Sequence, residues 1–257
     1  MHIGISSSCF YPMETEHALR RVGETGAKTA EIFFNTPSEL HGALLRELQT
    51  IRDGYGMRIA TVHALQSFTE GYWLFSEYRR RFTDALDFYG VLFDAAAALG
   101  ADYVIFHGAR TLVIEEADYA ERFYLLNERA KQFGVQIAHE NVVHYVGEQP
   151  GFLTRLRDHL GGDFRMVLDL KQAKRAGADP FAFLQSLGEN IVHIHVSDST
   201  AAKDCLPPGE GTFDFVRLKE TLVRLGYDRT LMIELYRDNF AADVQLTNAL
   251  HFLQNLF

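Results

Sequence analysis

Residues 191–196 read IVHIHV, and the rest of the chain is best understood outward from this run. Val192, Ile194 and Val196 occupy one face of an extended segment, and His193 and His195 occupy the other. The apolar face is the one that a covering helix would bury, which directs the two histidines inward. A similar run follows at 230–235 (TLMIEL), and others precede it at 164–169 (FRMVLD), 135–140 (VQIAHE) and 102–107 (DYVIFH). Further back lie 58–63 (RIATVH), 29–34 (TAEIFF) and 3–6 (IGIS).

Helical spacing fills the intervals. Phe82, Ala85, Leu86, Tyr89 and Phe93 line one helix face, as do Leu246, Ala249, Leu250 and Leu253. Phe215, Leu218, Leu222 and Leu225 form a narrower stripe. Gly26, Gly56, Gly100, Gly134, Gly161 and Gly226 each stand between a helical run and the next strand, where a left-handed helix end favours glycine. Eight strand–helix units without a linker predict one domain over 1–257, a closed (β/α)8 TIM barrel. A doubly wound open sheet also alternates this way, but no Gly-rich phosphate fingerprint follows the first strand.

Composition narrows the function classes. With 25 Lys+Arg against 34 Asp+Glu the net charge is −9, which argues against a protein that blankets nucleic acid phosphates. Hydrophobic residues at 47% and charged residues at 23% match an ordinary globular protein. Cys9 and Cys205 form no CxxC pair, so a cysteine-built zinc site and a disulfide scaffold are excluded and a reducing compartment is expected. The start, Met1-His2-Ile3-Gly4-Ile5, lacks signal-peptide features, and no apolar stretch reaches the ~20 residues of a membrane span. The expectation is a cytoplasmic protein with no membrane partner.

In a TIM barrel the active site lies at the C-terminal ends of the strands. Glu140, Asp169 and His195 fall at the ends of the fifth, sixth and seventh strands, with Glu234 near the end of the eighth. His63 and His107 end the third and fourth. Alternation puts Glu140 on a face with Ala138 and Gln136, and Glu234 with Met232, both pointing into the barrel mouth. Three carboxylates and an imidazole make a mixed O/N shell suited to one divalent ion such as Mn²⁺, Mg²⁺, Co²⁺ or Zn²⁺. Buried together without a cation, Glu140, Asp169 and Glu234 would repel.

Val167-Leu168-Asp169, His195-Val196-Ser197-Asp198, Leu206-Pro207-Pro208-Gly209-Glu210-Gly211 and Met232-Ile233-Glu234 together resemble the xylose isomerase-like TIM-barrel superfamily. That superfamily holds sugar phosphate isomerases and epimerases and also endonuclease IV. The resemblance spans the chain and implies that Glu140, Asp169, His195 and Glu234 hold the metal, with Glu140 and Glu234 as the acid–base pair. His63 and His107 match two endonuclease IV ligand positions. The Asp-x-x-His of that enzyme, however, reads Asp169-Leu170-Lys171-Gln172 here, and its later Asp-x-His reads Lys203-Asp204-Cys205. Three ligands of a trinuclear cluster are thus replaced. Gln172 also stands where many ketose epimerases carry a substrate-binding histidine.

The expected activity is metal-dependent isomerisation or epimerisation of a sugar or sugar derivative by proton transfer through a metal-stabilised enediolate. The alternatives are an endonuclease IV-like DNA repair nuclease, a lyase or dehydratase using the same enediolate, and a non-catalytic sugar-binding relative. His63 and His107 are candidate substrate-hydroxyl contacts, and Lys203 a candidate contact for a phosphate or carboxylate. His193 is read as a packed interior histidine, His144 as a loop residue, and Arg79-Arg80-Arg81 as the solvated start of a helix. The aromatic segment 68–75, with Phe34 and Tyr11, could form a lid over the site or a contact in a homo-oligomer.

Overall fold

The computed structural model describes residues 1–64 and 69–257. Its strands are β1 (His2–Ser6), β2 (Thr29–Phe33), β3 (Arg58–His63), β4 (Tyr103–Phe106), β5 (Gln136–Glu140), β6 (Met166–Asp169), β7 (Ile191–Val196) and β8 (Thr230–Ile233). They pair in chain order as a closed parallel barrel, with β8 returning to β1 through His2–Thr230 to Ile5–Ile233. Between them run α1 (Thr15–Glu24), α2 (Gly42–Tyr55), α3 (Glu70–Leu74), α4 (Arg79–Leu99) and α5 (Glu116–Lys131). The second half carries α6 (Pro150–Leu160), α7 (Leu170–Arg175), α8 (Pro180–Leu187), α9 (Phe215–Arg224) and α10 (Val244–Leu256). Among the described residues no helix is long and apolar enough to cross a membrane.

The strand positions match the expected runs to within about two residues, and the helix stripes lie where their spacing put them. Phe215, Leu218 and Leu222 are buried on α9, whereas Leu225 falls past the last turn and is exposed. The six glycines between helix and strand all have positive φ, and Gly56 and Gly100 are left-handed C-caps of α2 and α4. The main apolar core lies between barrel and helices. A smaller cluster of Ile105, Ala138, Val167 and Val192, with Tyr103 against it, packs below the mouth on the site-facing side of β4–β7.

Val192 corrects the alternation expected for 191–196, because it joins that inner cluster and not the helix-side core of Ile194 and Val196. The β6–β7 register explains it: Met166 pairs with Ile191 and Val167 with His193, which leaves Val192 as the extra residue of a bulge. The bulge also sets the phase that brings His193 and His195 inward. Ala60 is skipped in the same way between β2 and β3.

The aromatic segment divides into parts. Phe68 lies outside the described residues. Phe75 is buried and stacks on Tyr119 at 3.8 Å, and Trp73 packs edge-on against Phe88 at 5.9 Å. Phe34 is core, while Tyr11 and Tyr72 are exposed. Arg79–Arg81 begin α4 as expected, with the Arg81 guanidinium 3.9 Å from the Tyr72 ring centre.

On the outer face of β5, His139 is buried, with Nε2 2.9 Å from the Tyr119 hydroxyl and Nδ1 3.0 Å from the Glu140 carbonyl. Burial pushes its pKa from 6.5 down to about 4. As pH falls the unfolded chain takes up this proton first, so stability is lost between about 6.5 and 4. His139→Gln is expected to remove about 3 kcal/mol of the acid sensitivity, read by urea unfolding at pH 7 and pH 4. An unchanged pH dependence would contradict this.

Candidate metal and active site

Strand ends bring the four predicted residues together. Glu140 ends β5, Asp169 ends β6, His195 is the penultimate residue of β7, and Glu234 follows β8 directly. Each offers one donor atom, and all four lie within 4.8 Å of one another. His195 Nδ1 is the hub, 3.1 Å from Glu140 Oε1, 3.3 Å from Glu234 Oε2 and 3.5 Å from Asp169 Oδ2. Glu140, Asp169 and His195 are buried, while the Glu234 side chain retains 11% exposure, so the opening lies on its side.

Asp169 and His195 are oriented from behind. Asp169 caps α7, its Oδ1 accepting from the Gln172 amide at 2.8 Å. Asn141 holds the β5 and β6 ends together by accepting from the Asp169 amide (2.7 Å) and donating to its carbonyl (3.0 Å). Gln172 accepts from the Val143 amide at 3.2 Å. Glu31, in mid-β2, was not a candidate from sequence. Its buried carboxylate lies 3.1 Å from His195 Nε2 and 3.4 Å from His193 Nε2, and accepts from Thr61 Oγ1 and Ser6 Oγ. A carboxylate on the far ring nitrogen holds a proton there and turns Nδ1 toward the other three carboxylates, an arrangement common behind metal-binding histidines.

His63 and His107 adjoin the quartet. His107 Nε2 lies 2.9 Å from both Glu140 Oε2 and His63 Nε2, and its side chain keeps 14% exposure. With Glu140 they form a second group of potential donors. The backbone beneath His107 is pinned by buried Glu70 of α3, whose Oε2 accepts from the amides of His107 (2.8 Å) and Gly108 (2.9 Å). Gly108 has φ +84°, and a Cβ there would overlap the Tyr119 hydroxyl and His139.

Lys171 is the second residue missed in sequence. Its side chain is buried, with Nζ 2.6 Å from Glu234 Oε2, 3.1 Å from Asp169 Oδ2 and 4.8 Å from the centre of the Tyr236 ring. Electrostatics here follow opposing forces. Burial disfavours every charge, yet the carboxylates of Glu234 and Glu31 hold the His195 pKa well above its ordinary value. Burial also opposes the Glu140 charge, but hydrogen bonds from His107 and His195 keep its carboxyl well below the usual range. Lys171 is disfavoured by burial and held strongly protonated by Asp169 and Glu234.

Asp169 Oδ2 is buried and makes no hydrogen bond, although it lies within ion-pairing distance of Lys171 and His195. An unbonded carboxylate oxygen facing an imidazole nitrogen and two further carboxylates fits a hard or borderline divalent cation. The residues present therefore suit the ion expected from sequence.

Other candidates lie elsewhere. Lys203 is exposed and lines a rim cavity of about 580 Å³ with Lys174, Arg175 and Asp204, outside the quartet. His193 is buried beside Glu31, and His144 is exposed in the loop after β5. Asp198 organises the loop after β7 by accepting from the amides of Ser199, Gly209, Gly211 and Phe213 at 2.7–3.0 Å. Asp198→Ala is expected to cost about 3 kcal/mol in urea unfolding, since four backbone amides lose a buried, charged acceptor. A loss below about 0.5 kcal/mol would show the loop is held by other contacts.

The sequence profile described as xylose isomerase-like TIM barrel matches residues 19–256. A relative from Methanocaldococcus jannaschii, an uncharacterized protein, is 26% identical over 91% of this chain and 83% of its own. Fructoselysine 3-epimerase of Escherichia coli O157:H7 is 24% identical over 91% of this chain and 90% of its own. The crystal structure of D-psicose 3-epimerase from Clostridium cellulolyticum H10 superposes with a TM-score of 0.82 at 16% identity, covering 100% of this chain and 99% of that one. The profile match runs from within α1 to the end of α10 and takes in every residue of the quartet, so the chain belongs to the xylose isomerase-like TIM-barrel family.

Proposed function

We propose that this barrel is a divalent-metal-dependent isomerase or epimerase of a sugar or sugar derivative. The observation that carries the proposal is the convergence of Glu140, Asp169, His195 and Glu234 on one point at the barrel mouth, with Asp169 Oδ2 lacking a hydrogen bond. The epimerase names among its relatives point to the same chemistry. Glu140, Asp169, Glu234 and His195 Nδ1 would hold the ion, Mn²⁺, Mg²⁺, Co²⁺ or Zn²⁺. Bound there, the cation would supply Lewis-acid stabilisation of negative charge on the substrate's carbonyl and hydroxyl oxygens.

The chain's own residues do the rest. Glu140 and Glu234 come from strands at the two ends of the ligand set and approach His195 Nδ1 from separate elements. One carboxylate removes the proton from the carbon beside the carbonyl and the other returns it, which inverts that carbon. Transfer of the proton by one carboxylate between adjacent carbons would isomerise the sugar instead. His63 and His107 bind substrate hydroxyls beside Glu140, and Lys203, with Lys174 and Arg175 on the rim, receives an anionic group on a substrate that carries one.

The test is proton exchange. The Mn²⁺-treated protein is incubated in D₂O with D-psicose, D-tagatose and fructoselysine, and deuterium is followed by NMR. Deuterium at the carbon beside the carbonyl, together with the epimer or isomer, is the expected result. Loss of water from the sugar without an isomer would identify a lyase. Cleavage of abasic duplex DNA without any sugar exchange would identify a nuclease and overturn the proposal.

A further inference from the structure

Lys171 places a fixed positive charge inside the ligand set itself. Its ammonium lies 2.6 Å from Glu234 Oε2 and 3.1 Å from Asp169 Oδ2, the same two oxygens that face His195 Nδ1. The side chain is buried and leaves the first turn of α7, two residues after the Asp169 cap, so it has little room to withdraw into solvent. The Tyr236 ring flanks the ammonium and is itself flanked by Arg175 at 5.0 Å, which keeps that side of the site cationic.

We propose that Lys171 is a built-in competitor for the metal: it holds Asp169 and Glu234 together in the ion-free protein and weakens the ion's hold once bound. The proposal rests on the quartet binding a divalent cation. Three carboxylates facing one another need a counter-charge to stay buried, and Lys171 supplies it before any ion arrives. The same charge then repels an incoming cation and occupies two of its donors, so the ion is exchangeable and its occupancy follows the free ion concentration. The ion-free barrel is thereby kept folded, and the site is tunable by metal supply.

The experiment measures Mn²⁺ and Co²⁺ affinity by competition with a fluorescent chelator, using native protein, Lys171→Met and Lys171→Arg. Lys171→Met is expected to bind at least tenfold more tightly, and Lys171→Arg within about threefold of native, since the charge is kept. The chelated Lys171→Met protein is expected to melt below the chelated native protein, and Mn²⁺ is expected to raise its Tm further. If the methionine variant does not fold without metal, Lys171→Gln is measured in the same way. Binding by the variant alone, with none by the native protein, upholds Lys171 as the competitor and overturns the metal-dependent activity proposed for the native chain. Equal or weaker affinity in Lys171→Met, beside intact binding by the native protein, overturns the Lys171 assignment and leaves the proposed chemistry standing. No ion held by any of the proteins overturns both.

Discussion

Glu234→Gln is expected to lower turnover about 10³-fold while far-UV circular dichroism stays unchanged. Glutamine is nearly isosteric, and Glu234 is the most open member of the quartet, with 11% of its side chain exposed. It can therefore meet substrate without any rearrangement of the barrel. An amide cannot take up and return a proton, and general acid–base groups contribute about 10²–10⁴-fold to such transfers. Glu140→Gln should fall as far in turnover, but it also disturbs His107 at 2.9 Å and His195 at 3.1 Å, so its stability drops as well. The comparison separates chemistry from packing. Turnover by Glu234→Gln within tenfold of native would remove this glutamate from the proton transfer.

The largest effect on stability is expected at His195. Its ring lies within 3.5 Å of Glu31, Glu140, Asp169 and Glu234 at the barrel mouth. His195→Ala leaves these carboxylates facing one another, with Lys171 as the cation beside Asp169 and Glu234. Breaking a buried ion pair by removing one partner costs about 3–5 kcal/mol, and that range is expected in urea unfolding of chelator-treated protein. The pH dependence has a definite sign. The folded-state pKa of His195 is raised, so its stabilising contribution is complete below the unfolded value of 6.5 and is lost as pH rises through the raised value. The deficit of the alanine variant should therefore be larger at pH 6 than at pH 10. A deficit under about 1 kcal/mol at pH 6 would mean that the cluster is not held by this imidazole.

The barrel and the quartet were both legible in the sequence, and for one reason. Alternation along a strand assigns each side chain to a face, and strand ends in this architecture converge. Glu140, Asp169, His195 and Glu234 obey both rules, so they meet as expected. Glu31 obeys the first rule only. A lone carboxylate inside TAEIFF is a visible signal, but it sits one layer below the strand end, where attention to the mouth does not reach. Lys171 was visible only as a departure from Asp-x-x-His; that its long side chain returns to the cluster follows from the cap of α7, a three-dimensional fact. The bulge at Val192 depends on the register of the neighbouring strand, which no single-strand pattern contains. Lys203 lies on a loop whose path is set by Asp198 and its amide partners, and spacing alone could not place it on the rim.

The most direct measurement is the metal content of the protein by mass spectrometry after equilibrium dialysis against saturating Mn²⁺, Co²⁺ or Zn²⁺, with the ion in the protein-free compartment subtracted. About one ion per chain, absent from His195→Ala, is the expected result. No ion in the native protein at concentrations well above the chelator-measured affinity, or an ion retained equally by His195→Ala, would contradict a metal centre at the mouth of this barrel.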